Sequence, residues 1–451
     1  MSDAPTTSDG LRVFKPKPSL PPPPATTGVI GWMRFNLFDG IGSSITTVIG
    51  LLLLGFLAIS FYEWAFVRGV WEAASRQECR LSPTEFGTCW AGVEFWFTRF
   101  IYGRYPDAEI WRLDLMAIVF IAWMAPLWAP KVTAKVMVGL SAILVFPFMA
   151  GYFFLGGDRN WFMAIMVAVS MTWFAGTMIH VAACLLTGKG LGHWIITLSG
   201  FSSRDDRTYK YPLLMAAVVA FGIVYFVIQS WQLPIVGTNH WGGLFLTLVI
   251  SGIGIASALP AGIVLALGRR SEMPVIRVMC VTFIELFRSV PLITILFMAT
   301  TMFPLFLPEG VVFNKLASAI VAVCLFSAAY MAETVRGGLQ AIPKGQYEAA
   351  EAMGLGYWQS MGLIIMPQAL KLMIPNIVGS FIGLFKDTTL VSIIGLFDLL
   401  GMISAISQDP QWIGLHHEPL FTAALIYFIG CLAMSKYSQH LERKLGAGDR
   451  R

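Results

Sequence analysis

An all-α polytopic membrane protein of about ten transmembrane helices is the fold class this chain predicts, and three observations carry the reading. Of its 451 residues, 56% are hydrophobic and only 13% charged, against about 25% charged in an ordinary soluble domain. Several apolar runs exceed the roughly 20 residues a helix needs to cross a bilayer's hydrocarbon core. The runs are continuous, where a transmembrane barrel would alternate in short segments. Backbone groups in hydrocarbon must be satisfied within the segment, which a helix does.

The first forty residues stand outside this pattern. "KPKPSLPPPP" (Lys15 to Pro24) reads as extended and solvated, either a plain cytosolic tail or a ligand for a peptide-binding domain. The first apolar run begins near Ile45 and is too long for a secretory signal. Spans are expected near 43–67, 113–130, 136–155, 161–186, 211–231, 241–268, 278–303, 316–333, 373–400 and 418–435. "GGDRN" makes a tight polar turn between the third and fourth. With the N-terminus in the cytosol, 21 Lys and Arg fall on the cytosolic side and 8 outside, six of the eight in the long outer segment 68–112. Positive charge belongs inside, so both termini are expected in the cytosol. The basic residues are spread over many loops with no clustered stripe, so the net charge of +5 reflects orientation in the bilayer, and no nucleic-acid partner is expected.

Cys184, Cys280, Cys324 and Cys431 lie in apolar runs, where a small buried thiol needs no special role. Cys79 and Cys89 share the outer segment in "CRLSPTEFGTC", close enough to form a disulfide in an oxidising compartment or to remain free thiols. "WAGVEFWFTRF" in the same segment reads as a helix lying in the membrane interface. The chain has no GxxxxGK[ST] loop for ATP, and its six histidines form no HExxH-like ligand pattern. GxSxG and paired catalytic carboxylates are also absent. Neither a metal site nor an enzyme active site is expected here.

One partly polar stretch between membrane-length runs remains, "YEAAEAMGLGYWQSMGLIIMPQALK" (Tyr347 to Lys371). Pro343 suits a helix start. The helix that follows puts Ala349, Ala350 and Met353 on one face and Glu348 and Glu351 on another. Gly354 and Gly356 are expected to stop it, and a second short helix to break at Pro367. An amphipathic linker resting on headgroups would carry basic residues on its polar face. Glutamates there favour a helix that docks another protein.

The run Glu348-Ala349-Ala350, three residues, Gly354, nine residues, Ile364, one residue, Met366-Pro367 resembles the EAA loop of permease subunits in bacterial ABC importers, with Met366 where that family usually has Leu. "AETVRGGLQAIPKGQYEAAEAMGL", "IELFRSVPLITILFM" and "FKDTTLVSIIGLFDLLG" look like the polar-amino-acid branch, although Ser289 stands where the branch usually has Gly. The resemblance covers about residues 240–440 and implies a type I ABC-importer permease core of five helices. The preceding part, a tail over 1–40 and an accessory membrane module over 41–235, looks like the larger M-type permease of general L-amino-acid importers, with "GWMRFNLF", "GTCWA" and "YPDAEIW" similar to that subfamily. The resemblance implies residence in the bacterial inner membrane and three partners: a second, Q-type permease, ABC ATPase subunits and a periplasmic amino-acid-binding protein. It also implies that ATP and magnesium belong to the ATPase subunit and no cofactor to this chain. Glu348, Ala349, Ala350, Gly354, Ile364 and Pro367 would then form the ATPase-coupling element.

Glu285 and Arg288 fall in one expected span, Lys386 and Asp387 in another. A charge at the bilayer centre costs about 2.5–3.5 kcal/mol, so such residues face a bundle interior or cavity. Pro291 frees the carbonyl of Phe287. Together with Thr388 these groups could hold a zwitterionic substrate, Arg288 and Lys386 on its carboxylate, or could be ion pairs that hold the bundle together. A secondary transporter with inverted repeats is the rival class, but the first half has no counterpart of the 347–371 stretch. A membrane sensor or scaffold is the third.

Overall fold

The computed structural model describes residues 28–81, 87–127, 129, 132, 135–157, 161–187, 210–230, 233–308 and 314–446. Lys15–Pro24, most of the loop expected over 187–210 and the last three residues of the "GGDRN" turn lie outside them. The chain forms two compact units, Met1–Glu72 with Glu78–Trp90, and Ala73–Gln77 with Ala91–Arg451.

In the smaller unit "GWMRFNLF", apart from its last residue, falls in α1 (Gly28–Leu37), followed by α2 (Ile41–Tyr62) and a π turn, Glu63–Val67. α2 is apolar all round and none of its residues is buried, the character of a helix solvated by hydrocarbon. Just beyond it the backbone folds on itself: Val70 N–H donates to Thr88 O (2.8 Å), and the Trp90 indole to Ala65 O (2.7 Å).

The larger unit holds α3 (Trp90–Tyr102, apart from Trp90), α4 (Ile110–Met124), α5 (Lys135–Leu144), α6 (Phe146–Leu155), α7 (Trp161–Thr187) and α8 (Lys210–Ser230). Next come α9 (Gly243–Arg269), α10 (Pro274–Ser289), α11 (Leu292–Phe297), α12 (Lys315–Ala341), α13 (Lys344–Ala352), α14 (Tyr357–Ser360), α15 (Met366–Asp387), α16 (Leu399–Ile406) and α17 (His417–Gly446). Among the described residues eight helical stretches are long and apolar enough to cross a membrane, from Ile41–Val67 to His417–Leu445. Of the other two expected spans, the fifth is matched by a shorter apolar helix, Ala217–Ser230, and the seventh by a bent pair.

The segment expected as a span over 278–303 is a bent pair of helices. α10 and the helical run beginning at α11 meet at 105°. A proline disfavours the helical conformation of the residue before it, and Val290 is extended (φ −108°, ψ 133°). Pro291 therefore ends a helix rather than kinking one. At Pro367 the opposite holds. A π turn, Met361–Ile365, leads into α15, and Pro367 sits in the first turn of that helix, where its missing N–H needs no partner. The expected break at Pro367 is absent, and Tyr357–Ser392 is one continuous helical stretch of 36 residues.

Parallel helices α9 and α12 form the centre of the larger unit. Gly254, Ala258, Gly262 and Ala266 lie four apart and are buried, a small-residue stripe that lets helix backbones approach. A Cβ on Gly262 would lie 2.7 Å from the Met331 side chain. α15 packs antiparallel on α12, Gly338 against Ala369 and Met373. One buried cluster joins Tyr105 and Leu113 to Trp241, Leu246, Leu296, Leu316 and Leu384, so the outer segment and the C-terminal helices share a core. Gly103 (φ +68°) makes this contact possible, since a Cβ there would lie 2.3 Å from Gly242 Cα. A second cluster, with Ala266, Ile284, Met331, Leu339, Ile365 and Ala369, lies toward α13.

Candidate functional site

α13 begins directly after Pro343 and ends at Ala352, with Met353 as its C-cap. Gly354 is left-handed (φ +73°). Gly354 N–H donates to Glu351 O (2.9 Å) and Leu355 N–H to Ala350 O (3.2 Å), closing the helix with a left-handed cap. Gly356 plays another part: its backbone is extended and it caps the start of α14. Glu348, Ala349 and Gly354 are exposed, but Ala350 is buried at 1% exposure, so the small-residue face is divided between solvent and the bundle. Ala350 therefore belongs to the packing of the loop, not to its free face. Met353 (78% exposed), Trp358 (75%) and Leu363 (72%) supply an apolar surface instead. Ile364 is half-buried and joins the second core cluster, and Pro367 is exposed.

Tyr347 holds α13 to the bundle. Its hydroxyl donates to Leu339 O (3.1 Å) and accepts from Arg270 Nη1 (3.1 Å). The guanidinium also lies over the Tyr347 ring, 5.6 Å from its centroid.

Close to this end, five charged side chains from three helices meet. Arg269, the last residue of α9, pairs with Glu285 of α10 (2.9 Å) and Glu333 of α12 (3.6 Å). Glu333 also pairs with Arg288 (3.7 Å) and with Arg336 one turn along α12. Glu285 and Arg288 share a helix but are paired with different partners. The Tyr330 hydroxyl donates to the Arg288 carbonyl (3.5 Å) where α10 ends. Ser289 bonds Leu286 O (3.0 Å) within that last turn.

Lys386, Asp387 and Thr388 lie elsewhere. Lys386 is exposed, Asp387 half-buried, and Thr388 is buried with its hydroxyl bonded to Phe385 O (2.8 Å). Gly254 faces both Val323 of α12 and Leu384 of α15, which puts Lys386 level with the first half of α12. Glu333 is ten residues beyond Val323, about 15 Å along the helix. Arg288, which reaches Glu333, and Lys386 therefore lie at different levels along the bundle.

At the other end of the bundle, α3 has two faces, Ala91, Gly92, Val93 and Phe100 buried and Phe95 and Phe97 exposed. It packs on the 407–416 loop, where a Cβ on Gly92 would meet Leu415 at 2.5 Å and Trp412 at 2.7 Å. The helix expected to lie in the membrane interface thus has one face covered by protein. Arg112 is fully buried, pairing with Glu109 (2.6 Å) and donating to Pro234 O (2.9 Å). Asp398 caps α16, accepting from Gly401 N–H (2.9 Å). It lies beyond the Tyr357–Ser392 span, and burial pushes its pKa up to about 6. A carboxyl held above its ordinary pKa stabilises the fold at low pH, and that advantage is lost as pH rises through the folded value. Melting of the purified protein should therefore occur at a higher temperature near about pH 5 than near about pH 7.5. Asp398→Asn keeps the capping oxygen and should raise stability at neutral pH by about 2 kcal/mol while flattening this dependence. An unchanged pH slope in the variant would assign the titration to another group.

Cys79 and Cys89 are joined in the structure, with Cα atoms 5.9 Å apart. A membrane-impermeant maleimide should leave both unlabelled until the protein is reduced. Labelling before reduction would show free thiols in the membrane-embedded protein.

Sequence reading passed over Arg269, Arg270, Glu333, Arg336 and Tyr347. Glu333 and Arg336 were visible as a three-residue spacing of opposite charge at a span end, but their partners come from helices separated in sequence.

The family described as "binding-protein-dependent transport system inner membrane component" matches residues 258–447. The chain is 39% identical to the inner membrane amino-acid ABC transporter permease protein YhdY of Escherichia coli (strain K12), over 95% of this chain and 97% of that protein. It is also 39% identical to the glutamate/glutamine/aspartate/asparagine transport system permease protein BztC of Rhodobacter capsulatus, over 94% and 95% respectively. A crystal structure of an amino acid ABC transporter with histidines aligns over 45% of this chain and 92% of its own, at 30% identity and a TM-score of 0.41.

Proposed function

We propose that this chain, which belongs to the family of amino-acid ABC transporter permeases, imports L-amino acids by passing the work of a separate ATPase subunit through the 347–367 loop. The exposed α13 carries this reading. Its left-handed stop at Gly354 and the apolar surface of Met353 and Trp358 form a short exposed element that none of the described residues covers. Such an element suits helix-in-groove recognition. ATP and magnesium would be held by the ATPase subunit, and substrate would arrive from a binding protein on the opposite side of an inner membrane. The asymmetry of Lys and Arg supports a cytosolic loop and cytosolic termini. The name of one of the two long relatives, the glutamate/glutamine/aspartate/asparagine permease, favours polar and acidic amino acids, in keeping with a general rather than a single-substrate importer. A Q-type permease would complete the pathway, with residues 240–440 as the transport core and 41–235 as an accessory module. Lys386, Asp387 and Thr388 form one station for substrate and Arg288 with Glu285, near Pro291, a second.

Met353→Cys tests the docking. In the assembled importer it should cross-link to the ATPase subunit, and the cross-link should stop ATP-driven uptake. Free labelling of that cysteine by a bulky maleimide with full uptake would overturn the reading.

A further inference from the structure

We infer that Arg270 and Tyr347 are positioning residues that join movement of α13 to the charged cluster at the end of α9, α10 and α12. The inference rests on the coupling reading above and deepens it. Tyr347 is bonded to the ends of two helices at once, to Leu339 O of α12 and to the Arg270 side chain just past α9. Arg270 is the residue that caps α9, a place where the backbone can turn without breaking interior hydrogen bonds. The residue before it, Arg269, is bonded to Glu285 and lies 3.6 Å from Glu333. Two successive side chains of one helix end thus reach the loop helix and the cluster.

The cluster is built to rearrange. Glu333 faces three guanidinium groups, yet its buried Oε2 has no hydrogen-bond partner among the described residues, and neither has Arg288 Nε. The contacts of Oε2 with Arg269 and Arg288, at 3.6 and 3.7 Å, are too long for hydrogen bonds. A small displacement of the α9 end therefore shifts the long ionic contacts of Glu333 Oε2, while the Arg269–Glu285 hydrogen bond (2.9 Å) carries the movement to α10. Pulling on Tyr347 moves Arg270, shifts Arg269, and redistributes Glu333 between Arg288 and Arg336. Arg288 is the group this exchange releases toward a substrate carboxylate.

The test uses the complete importer in proteoliposomes with loaded binding protein, measuring ATP hydrolysis and substrate uptake in the same preparation. Tyr347→Phe keeps the ring and its packing but loses both hydrogen bonds. It should raise the ATP hydrolysed per substrate imported by about threefold or more, with stimulated hydrolysis staying within about twofold of wild type. Arg270→Ala should do the same and Arg270→Lys should recover part of the coupling, since an ammonium can still donate to the hydroxyl. Adding Glu333→Gln to Tyr347→Phe should be non-additive in that ratio. Equal losses of hydrolysis and uptake, an unchanged ratio, or additive effects in the double variant would each overturn the joint. A wild-type complex whose hydrolysis does not respond to loaded binding protein would instead overturn the coupling reading itself.

Discussion

Gly354→Val is expected to abolish most uptake while leaving the protein inserted and assembled in the membrane. Gly354 has φ +73°, and a Cβ there would meet nothing within 4 Å. The loss is therefore one of backbone conformation and not of packing. A β-branched residue held in the left-handed region costs about 1–3 kcal/mol, enough to unwind the last turn of α13 and shift Met353 and Leu355. Gly354→Asn, which tolerates that region better, should retain most uptake. A further contrast isolates the cause: hydrolysis in the Gly354→Val complex should lose its response to loaded binding protein. Wild-type uptake by the valine variant would remove the left-handed stop from the mechanism.

Arg288→Ala should lower uptake by about tenfold or more, the scale of losing a charge-assisted hydrogen bond to a carboxylate. Arg288→Lys should be only a partial rescue, because a point charge replaces a fork that can grip both oxygens. The competing explanation is structural and now has a specific partner. Arg288 lies 3.7 Å from Glu333, while Glu285 pairs with Arg269. The informative cycle is therefore Arg288→Ala with Glu333→Gln. Recovery of uptake in the double variant would leave Arg288 as an ion-pair member with no role toward substrate. Lys386→Ala should be additive with Arg288→Ala, since the two residues lie at different levels along the bundle. Strong coupling between them would contradict that separation.

Much of this architecture was legible because hydrocarbon imposes one rule on every segment: long apolar runs must be helices. The αL stop at Gly354 was also legible, since glycine after a helical run has a local meaning. Pro291 and Pro367 show where local reading ends. Both interrupt apolar runs, yet one ends a helix at a sharp bend and the other starts one, and the difference lies in the π turn before Pro367 and the extended Val290 before Pro291. The Gly254, Ala258, Gly262 and Ala266 stripe was present in the sequence as a four-residue repeat, but only its burial against α12 shows which helix it serves. Ala350 was assigned to a docking face from its position on a helical wheel. It is buried instead (1% exposed), because which side of a short amphipathic helix meets the bundle is set by tertiary packing that a helical wheel does not contain. For the charged cluster the limit is stricter. Glu333 meets Arg269 and Arg288 across helices far apart in the chain, and no periodicity connects them.

The central claim is that this chain moves amino acids only when a separate ATPase acts on its loop. Reconstitution of the chain with the proposed Q-type permease, with and without the ATPase subunits, measures that directly as uptake of labelled amino acid from loaded binding protein into vesicles. The expected result is uptake that requires ATP and the ATPase subunits together and does not respond to an imposed ion gradient alone. Uptake driven by an ion gradient in the absence of the ATPase would contradict it.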